Sequence, residues 1–268
     1  MRYTPVITFD MDPTIRSTGL VGAHDVDDGA VRIVTISNPG KKNALTPSML
    51  AQLPLLLPTS SSSLSQPVRV VIIEGDGATF SSGFDLAALD DERHRGVDPI
   101  TVAADAIAAC PVPVIAAVDG ACYGGAVELI AACTIRVTSS ATRFAVPAVR
   151  LGLVYPVSGL RRFRRVLGRH AERVLLTGQP FSAEDARAWG LVHDVVEDAR
   201  VAARAVAADI ARAAPIAVAG TLAAVRAIDD GAADDVVEGH RAAALASDDL
   251  VEGVVAANEK RPARFAGR

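Results

Sequence analysis

A glycine pair followed three residues later by a lone carboxylate is the arrangement in this chain best suited to chemistry. Gly124 and Gly125 stand in the run GACYGGAVEL, from Gly120 to Leu129, and Glu128 falls in the first turn of the apolar helix that this run predicts. A helix start presents backbone N–H groups with no helical acceptor, and bare glycines let a ligand oxygen approach them. The pattern suits an anion, or an oxygen that becomes one during reaction. Glu128 is flanked by Ala126, Val127, Leu129 and Ile130. Burial there would raise its pKa and fit it for proton transfer; the competing reading is a first-turn carboxylate stabilised by the helix dipole. A second glycine turn, SSGFDL, sets Gly83 and Phe84 ahead of Asp85. Alone it reads as a strand-to-helix turn with a capping aspartate.

Three β-branched runs must position these turns. VRIVTI (Val31 to Ile36), VRVVIIE (Val68 to Glu74) and PVIAAV (Pro113 to Val118) each run into a loop containing Gly, Asn or Pro and then into a helical pattern. Strands alternating with helices at this repeat imply an α/β layered core. A helix is expected to begin near Thr46. Pro58 and the four serines from Ser60 to Ser63 should end it in a surface connection reaching Pro67. Residues 1 to 28 read as an extended arm or edge strand, and the charged segment from Asp90 to Pro99 as an exposed loop or lid. Beyond residue 196 four alanine-rich blocks, punctuated by Pro215, Gly231 and Ser247, predict short helices that gain much of their stability from packing, in part on another subunit. The division expected is a core at 1–195 and a helical region at 196–268.

Composition narrows the function. The net charge of −4 argues against nucleic-acid binding. The basic run RRFRRVLGR, Arg161 to Arg169, reads as a solvated helix face. Three widely spaced cysteines (Cys110, Cys122 and Cys133) read as small buried hydrophobes in a reducing compartment. The five histidines show no ligand spacing, so no metal site is expected. Without an evident leader or a spanning apolar run, a cytoplasmic protein is expected.

Six ordered segments carry a family likeness: KKNALTPSML, VVIIEGDGATFSSGFDL, PVIAAVDGACYGGAVELIAACTIRV, FAVPAVRLGLVYPVSGLRRF, LTGQPFSAEDARAWGLVHDVV and the terminal EKRPARFAGR. Through them the chain resembles the crotonase superfamily, the enoyl-CoA hydratases and isomerases, over roughly residues 30 to 265. The resemblance implies a fold of stacked ββα turns with a C-terminal helical region used for trimer formation, as a trimer or a dimer of trimers. It implies an acyl-CoA substrate, no nucleic-acid or membrane partner, and no resident cofactor, coenzyme A being part of the substrate. Two backbone N–H groups of the family grip the thioester carbonyl; by the motif match they fall on Phe84 and Gly125. A thioester enolate would be stabilised there, and losing one such donor typically costs about 3–4 kcal/mol. The same match assigns coenzyme A contacts to Lys42, Ala44, Phe84, Asp85, Leu86, Ala87 and Gly125, and gives the nucleotide phosphates to Lys260, expected from a neighbouring subunit.

The chain departs from the family at its second acid. Hydratases face two glutamates towards one water. Glu128 aligns with the first, but the FxxPE segment reads Phe144-Ala145-Val146-Pro147-Ala148, so alanine stands at the second. A further branch carries an aspartate in a GLVPD-type turn, which here reads Gly152-Leu153-Val154-Tyr155-Pro156. Two-carboxylate water addition therefore lacks half its machinery, and isomerases that shuttle a proton on that same second glutamate fail on the same ground; a double-bond shift by one base is the easier reaction. The expectation is an enoyl-CoA hydratase/isomerase-type enzyme using Glu128; the alternative is a catalytically weak acyl-CoA-binding protein. Tyr155 could donate a hydrogen bond or line the acyl pocket, and packing is the expected role. A serine nucleophile at Ser81 or Ser82 ranks below both, since no histidine follows in a suitable arrangement.

Overall fold

The computed structural model of the chain describes residues 19–59, 68–89 and 98–268. The arm before residue 19, the connection at 60–67 and all but the end of the charged loop predicted from Asp90 lie outside the described residues.

The three β-branched runs form the centre of one sheet. Strands β1 (Leu20–Val26), β2 (Val31–Ser37), β3 (Val70–Gly75), β4 (Val114–Val118), β6 (Ile135–Ser139) and β9 (Asp194–Val196) pair in the order β1-β2-β3-β4-β6-β9. The β1–β2 hairpin is antiparallel and every later pairing is parallel. Parallel pairing forces crossovers, so both sheet faces become covered and the central strands β3 and β4 are almost wholly apolar. Val34, Ile36, Val71, Ile73, Ala116 and Val118 turn to one side. There they meet helices α1 (Pro47–Gln52), α2 (Pro99–Ala109) and α3 (Gly125–Ala132). Ile33, Val70, Ile72, Ile115, Ala117 and Val137 turn to the other side and meet Ala199, Ala203 and Ala207. Those alanines recur every fourth residue along one face of α7 (Ala199–Arg212), which lets the helix lie close on the sheet.

A second sheet of three strands holds the glycine pair. Its members are β5 (Ala121–Tyr123), β7 (Arg143–Ala145) and β8 (Phe181–Ser182), with β5–β7 parallel and β7–β8 antiparallel. Gly124 continues β5, and its N–H donates to the Ala145 carbonyl at 2.8 Å. Helices α4 (Val157–Leu167), α5 (Ala171–Thr177) and α6 (Ala183–Ala188) follow.

The chain ends in α7, α8 (Pro215–Asp229), α9 (Asp234–Leu245) and α10 (Asp248–Glu259), as the four alanine-rich blocks predict. Thr46 caps α1 by accepting from the Met49 N–H, and Ser247 caps α10 by accepting from the Leu250 N–H. Cys110, Cys122 and Cys133 are buried free thiols, and burial pushes Cys133 up to about 12. Among the described residues no single helix is long and apolar enough to cross a membrane.

Candidate active site

The two glycine turns lie against one another. Ser81 and Cys122 form a parallel bridge in which the Ser81 N–H donates to the Ala121 carbonyl and the Tyr123 N–H to the Ser81 carbonyl. One residue further on, backbone meets backbone. A Cβ on Gly83 would sit 2.6 Å from the Tyr123 carbonyl oxygen, at a φ of +94° that favours glycine anyway. Position 83 needs glycine because two main chains touch there.

The loop at 41–45 packs on the same turn. Leu45 donates to the Gly83 carbonyl at 2.8 Å, and the Asp85 N–H donates to the Leu45 carbonyl at 2.9 Å. A parallel bridge that uses the residues on either side of Phe84 turns its own N–H the other way. The Gly125 N–H opens α3 and has no carbonyl one turn back to bond. Among the described residues neither amide finds an acceptor. The contact of Gly83 with Tyr123 brings their two loops together.

The reason for glycine at 125 differs from the sequence expectation. The space a side chain would take is filled by Ile100 of α2, whose Cδ1 would lie 2.6 Å from an added Cβ. Gly125 makes room for the protein's own core, not directly for a ligand.

Glu128 lies one turn into α3 from Gly125, on the same helix face. It is wholly buried. Its carboxylate does not cap the helix. Arg162 of α4 donates to Oε1 at 2.6 Å, while Oε2 is buried without a partner. Burial is the largest influence and raises the carboxyl from 4.5 to about 7; the Arg162 charge opposes it, and Asp98 at the N-cap of α2 and Asp105 within it add to it. The carboxylate rests against Gly159 of α4, where a Cβ would stand 3.0 Å from both of its oxygens.

Arg162 corrects the sequence reading of Arg161 to Arg169 as a solvated face. Arg164 and Arg165 are exposed and pair with the acidic side chains of Glu172, Asp229 and Asp230. Arg162 instead turns inward, its side chain only 10 % exposed, and joins Glu128 to Asp105. Sequence reasoning missed it, together with Gly159.

The remaining predicted residues divide. Lys42 is exposed, Ala44 is buried beside it, and the Lys42 carbonyl accepts from the Ser82 N–H at 2.9 Å, so both stand at the Phe84 turn. Asp85 caps the short turn Leu86–Ala88 by accepting from the Ala87 N–H and pairs with Lys41 at 2.9 Å, which holds its carboxyl below the usual range. Leu86 and Ala87 are exposed. Lys260 is not brought to this group: it ends α10 in the left-handed conformation, φ +52°, and is exposed. Ala148 opens a short 3-10 turn, Ala148–Leu151, and carries no acid. Tyr155 packs edge-on to Phe163 at 5.0 Å, and burial keeps its hydroxyl protonated. The Ser81 hydroxyl donates to the Asn43 carbonyl at 2.7 Å and accepts from the Gly83 N–H at 3.1 Å. It braces the turn, and its partners are backbone groups rather than a histidine that could take its proton.

With this geometry in place, the likenesses to known proteins are informative. A family model described as Enoyl-CoA hydratase/isomerase matches residues 27–268. Delta(3,5)-Delta(2,4)-dienoyl-CoA isomerase, peroxisomal, of Arabidopsis thaliana is 33% identical over 262 residues, covering 89% of this chain and 94% of that protein. Mevalonyl-coenzyme A hydratase sidH of Aspergillus fumigatus is 34% identical over 245 residues, covering 86% and 89%. The crystal structure of human enoyl Coenzyme A hydratase domain-containing protein 3 superposes with a TM-score of 0.82 at 30% identity, over 91% of this chain and 99% of that one. That of an enoyl-CoA hydratase/carnithine racemase from Magnetospirillum magneticum gives 0.84 at 31% identity, over 94% and 97%.

Proposed function

The chain belongs to the enoyl-CoA hydratase/isomerase family and has its crotonase-type α/β fold, and from that membership we propose that it shifts the double bond of an enoyl-CoA thioester with Glu128 as sole acid and base. The observation that carries this reading is the Glu128 carboxyl: buried, with one oxygen unpaired, and raised to about 7. A group poised near neutrality can take a proton and give it back.

In the proposed reaction the thioester carbonyl accepts from the Phe84 and Gly125 N–H groups. Glu128 removes a proton from the α-carbon, and the electron pair moves into the carbonyl as an enolate. The conjugated carbon–carbon pair then takes the proton back at its far end, and Glu128 returns to carboxylate. No atom is gained or lost. The two amides hold the negative charge while it exists, and the N-terminus of α3 adds its positive end. Lys42, Ala44 and residues 84 to 87 would line the coenzyme A side, with Lys260 supplied by another subunit of a trimer or a dimer of trimers.

Ala148 supports isomerisation over hydration, because water addition needs a second proton-transfer group at the β-carbon. It also favours a second reading, an acyl-CoA-binding protein that keeps the thioester grip without turnover.

The test uses the purified chain with crotonyl-CoA and with a 3-enoyl-CoA, beside a measurement of acyl-CoA affinity. Conversion of the 3-enoyl-CoA to the 2-enoyl isomer, lost in Glu128→Gln with affinity retained, is the expected result. Tight binding with neither substrate consumed would establish the second reading. Faster hydration of crotonyl-CoA than isomerisation would overturn both.

A further inference from the structure

We propose that Arg162 is the positioning residue of this site: it holds Oε1 of Glu128 from α4 and so leaves Oε2 as the one oxygen that exchanges a proton with substrate. The inference rests on Glu128 being the acid and base.

The geometry is specific. Arg162 makes the sole hydrogen bond to this carboxylate among the described residues, at 2.6 Å. A second carboxylate, Asp105, holds the same guanidinium through its other terminal nitrogen. The fork is therefore fixed between α2 and α3 and cannot turn both donors on Glu128. Gly159, three residues before Arg162, leaves the space against α4 in which the carboxylate lies. An oxygen left bare inside a protein is costly unless something uses it.

The surroundings set one influence against another. The charged groups that act on Glu128 are Arg162 on α4, Asp105 on α2 and Asp98 at the N-cap of α2; the buried Tyr155 hydroxyl feels the Glu128 charge and stays neutral. The Asp98 carboxylate is engaged with the Ile100 N–H and the Thr101 hydroxyl. Burial and the two aspartates favour the protonated acid; Arg162 alone favours the carboxylate. A strong pair in which both oxygens were bound would leave Glu128 an inert anion. A buried acid with no cation would stay protonated and could not accept. One donor on one oxygen gives both forms near neutral pH, as a base that must return its proton requires.

Two substitutions should move this balance in opposite directions. The titration of Glu128 is followed by the infrared carboxyl band that disappears in Glu128→Gln, together with the pH profile of 3-enoyl-CoA isomerisation. In Arg162→Gln the band should titrate higher by about 1–3 units, the range expected for an opposite charge nearby. The rising limb of turnover should move with it, and kcat at neutral pH should fall at least about fivefold with KM unchanged. Arg162→Lys should restore most of the shift. Asp105→Asn alters an exposed side chain, keeps the fold, and should move the band downward.

An unmoved band in Arg162→Gln, or a band moving upward in Asp105→Asn, would overturn the role given to Arg162. Should Arg162→Gln fail to fold, the Lys and Asn variants decide the matter by the same criterion. Turnover that survives Glu128→Gln would instead remove the acid–base reading of the site itself, whatever the band does.

Discussion

Glu128 titrates under strain that its neighbours relieve only in part. The folded chain holds the carboxyl proton up to about 7, against an ordinary 4.5, because burial outweighs the Arg162 charge. The consequence for stability has a definite sign. Below 4.5 the group is protonated whether the chain is folded or not, and it costs nothing. As pH rises towards about 7 the unfolded chain releases its proton while the folded chain keeps it, so folding becomes less favourable. At about 1.4 kcal/mol per unit the full penalty is roughly 3 kcal/mol. Glutamine has no such proton. Unfolding by urea across this range should therefore show the native chain losing stability relative to Glu128→Gln as pH rises to neutrality, with a constant difference above it. Parallel stability curves for the two chains would mean that Glu128 titrates as an ordinary surface carboxylate. The residue type and spacing of Glu128 were legible in the sequence, as was the rise in its pKa on burial; the partner that opposes that rise was not. The opposing charge sits on Arg162, thirty-four residues away along the chain. Among Arg161, Arg162, Arg164 and Arg165 no local feature tells which one turns inward.

At the scale of elements, what could be read in advance was whatever local chemistry decides. Val31 to Ile36, the run ending at Glu74 and Pro113 to Val118 became β2, β3 and β4 because a run apolar on both faces must be covered on both. Thr46 and Ser247 mark helix starts because a side-chain oxygen there satisfies a backbone N–H. The glycines were legible as turns, while their reasons were not. Gly83 answers to the Tyr123 carbonyl on another strand, and Gly125 to Ile100 on another helix. Helix α2 thus presses its Ile100 side chain onto the residue whose amide opens α3. Gly125→Ala would put a Cβ 2.6 Å from Ile100 Cδ1 and 2.9 Å from Cγ1, so the Ile100 side chain must turn aside or one helix must shift. Overpacking of this kind costs about 1–3 kcal/mol, and the shift should carry the 125 amide away from its aim and lower turnover. Ile100→Ala alone opens a cavity and destabilises by about 2–5 kcal/mol. Combined, the two changes should cost less than their sum, with a coupling of about 1–3 kcal/mol measured by urea unfolding of all four chains. Strict additivity would place the two residues out of contact and dissolve the explanation for glycine at this position.

The whole molecule keeps apolar surface where a lone chain gains nothing from it. Val225 and Ile228 on α8, Leu245 on α9, and Val251 and Val254 on α10 are all more than half exposed. Helices α8 and α9 carry no buried residue of their own, and a large patch of such side chains is the kind of surface that a partner, a membrane or a ligand covers. The unplaced member of the predicted site points to a partner. Lys260 stands at the end of α10, exposed and outside the group formed by Lys42, Phe84 and Gly125. If a neighbour's Lys260 reaches the nucleotide of a bound acyl-CoA, assembly and affinity are one property. The chain should sediment as three or six copies of its 27.8 kDa mass. Val251→Arg, at a site 64% exposed in the single chain, leaves the fold untouched but buries an unpaired charge if α10 lies in the interface. It should break the assembly towards single chains and weaken acyl-CoA binding in the same sample. Lys260→Ala should weaken binding alone, with sedimentation unchanged. A monomeric native chain would assign the apolar helices no partner of their own kind. An assembly broken by Val251→Arg with acyl-CoA affinity intact would show that each chain holds its ligand unaided, and Lys260 would then have no part in the site.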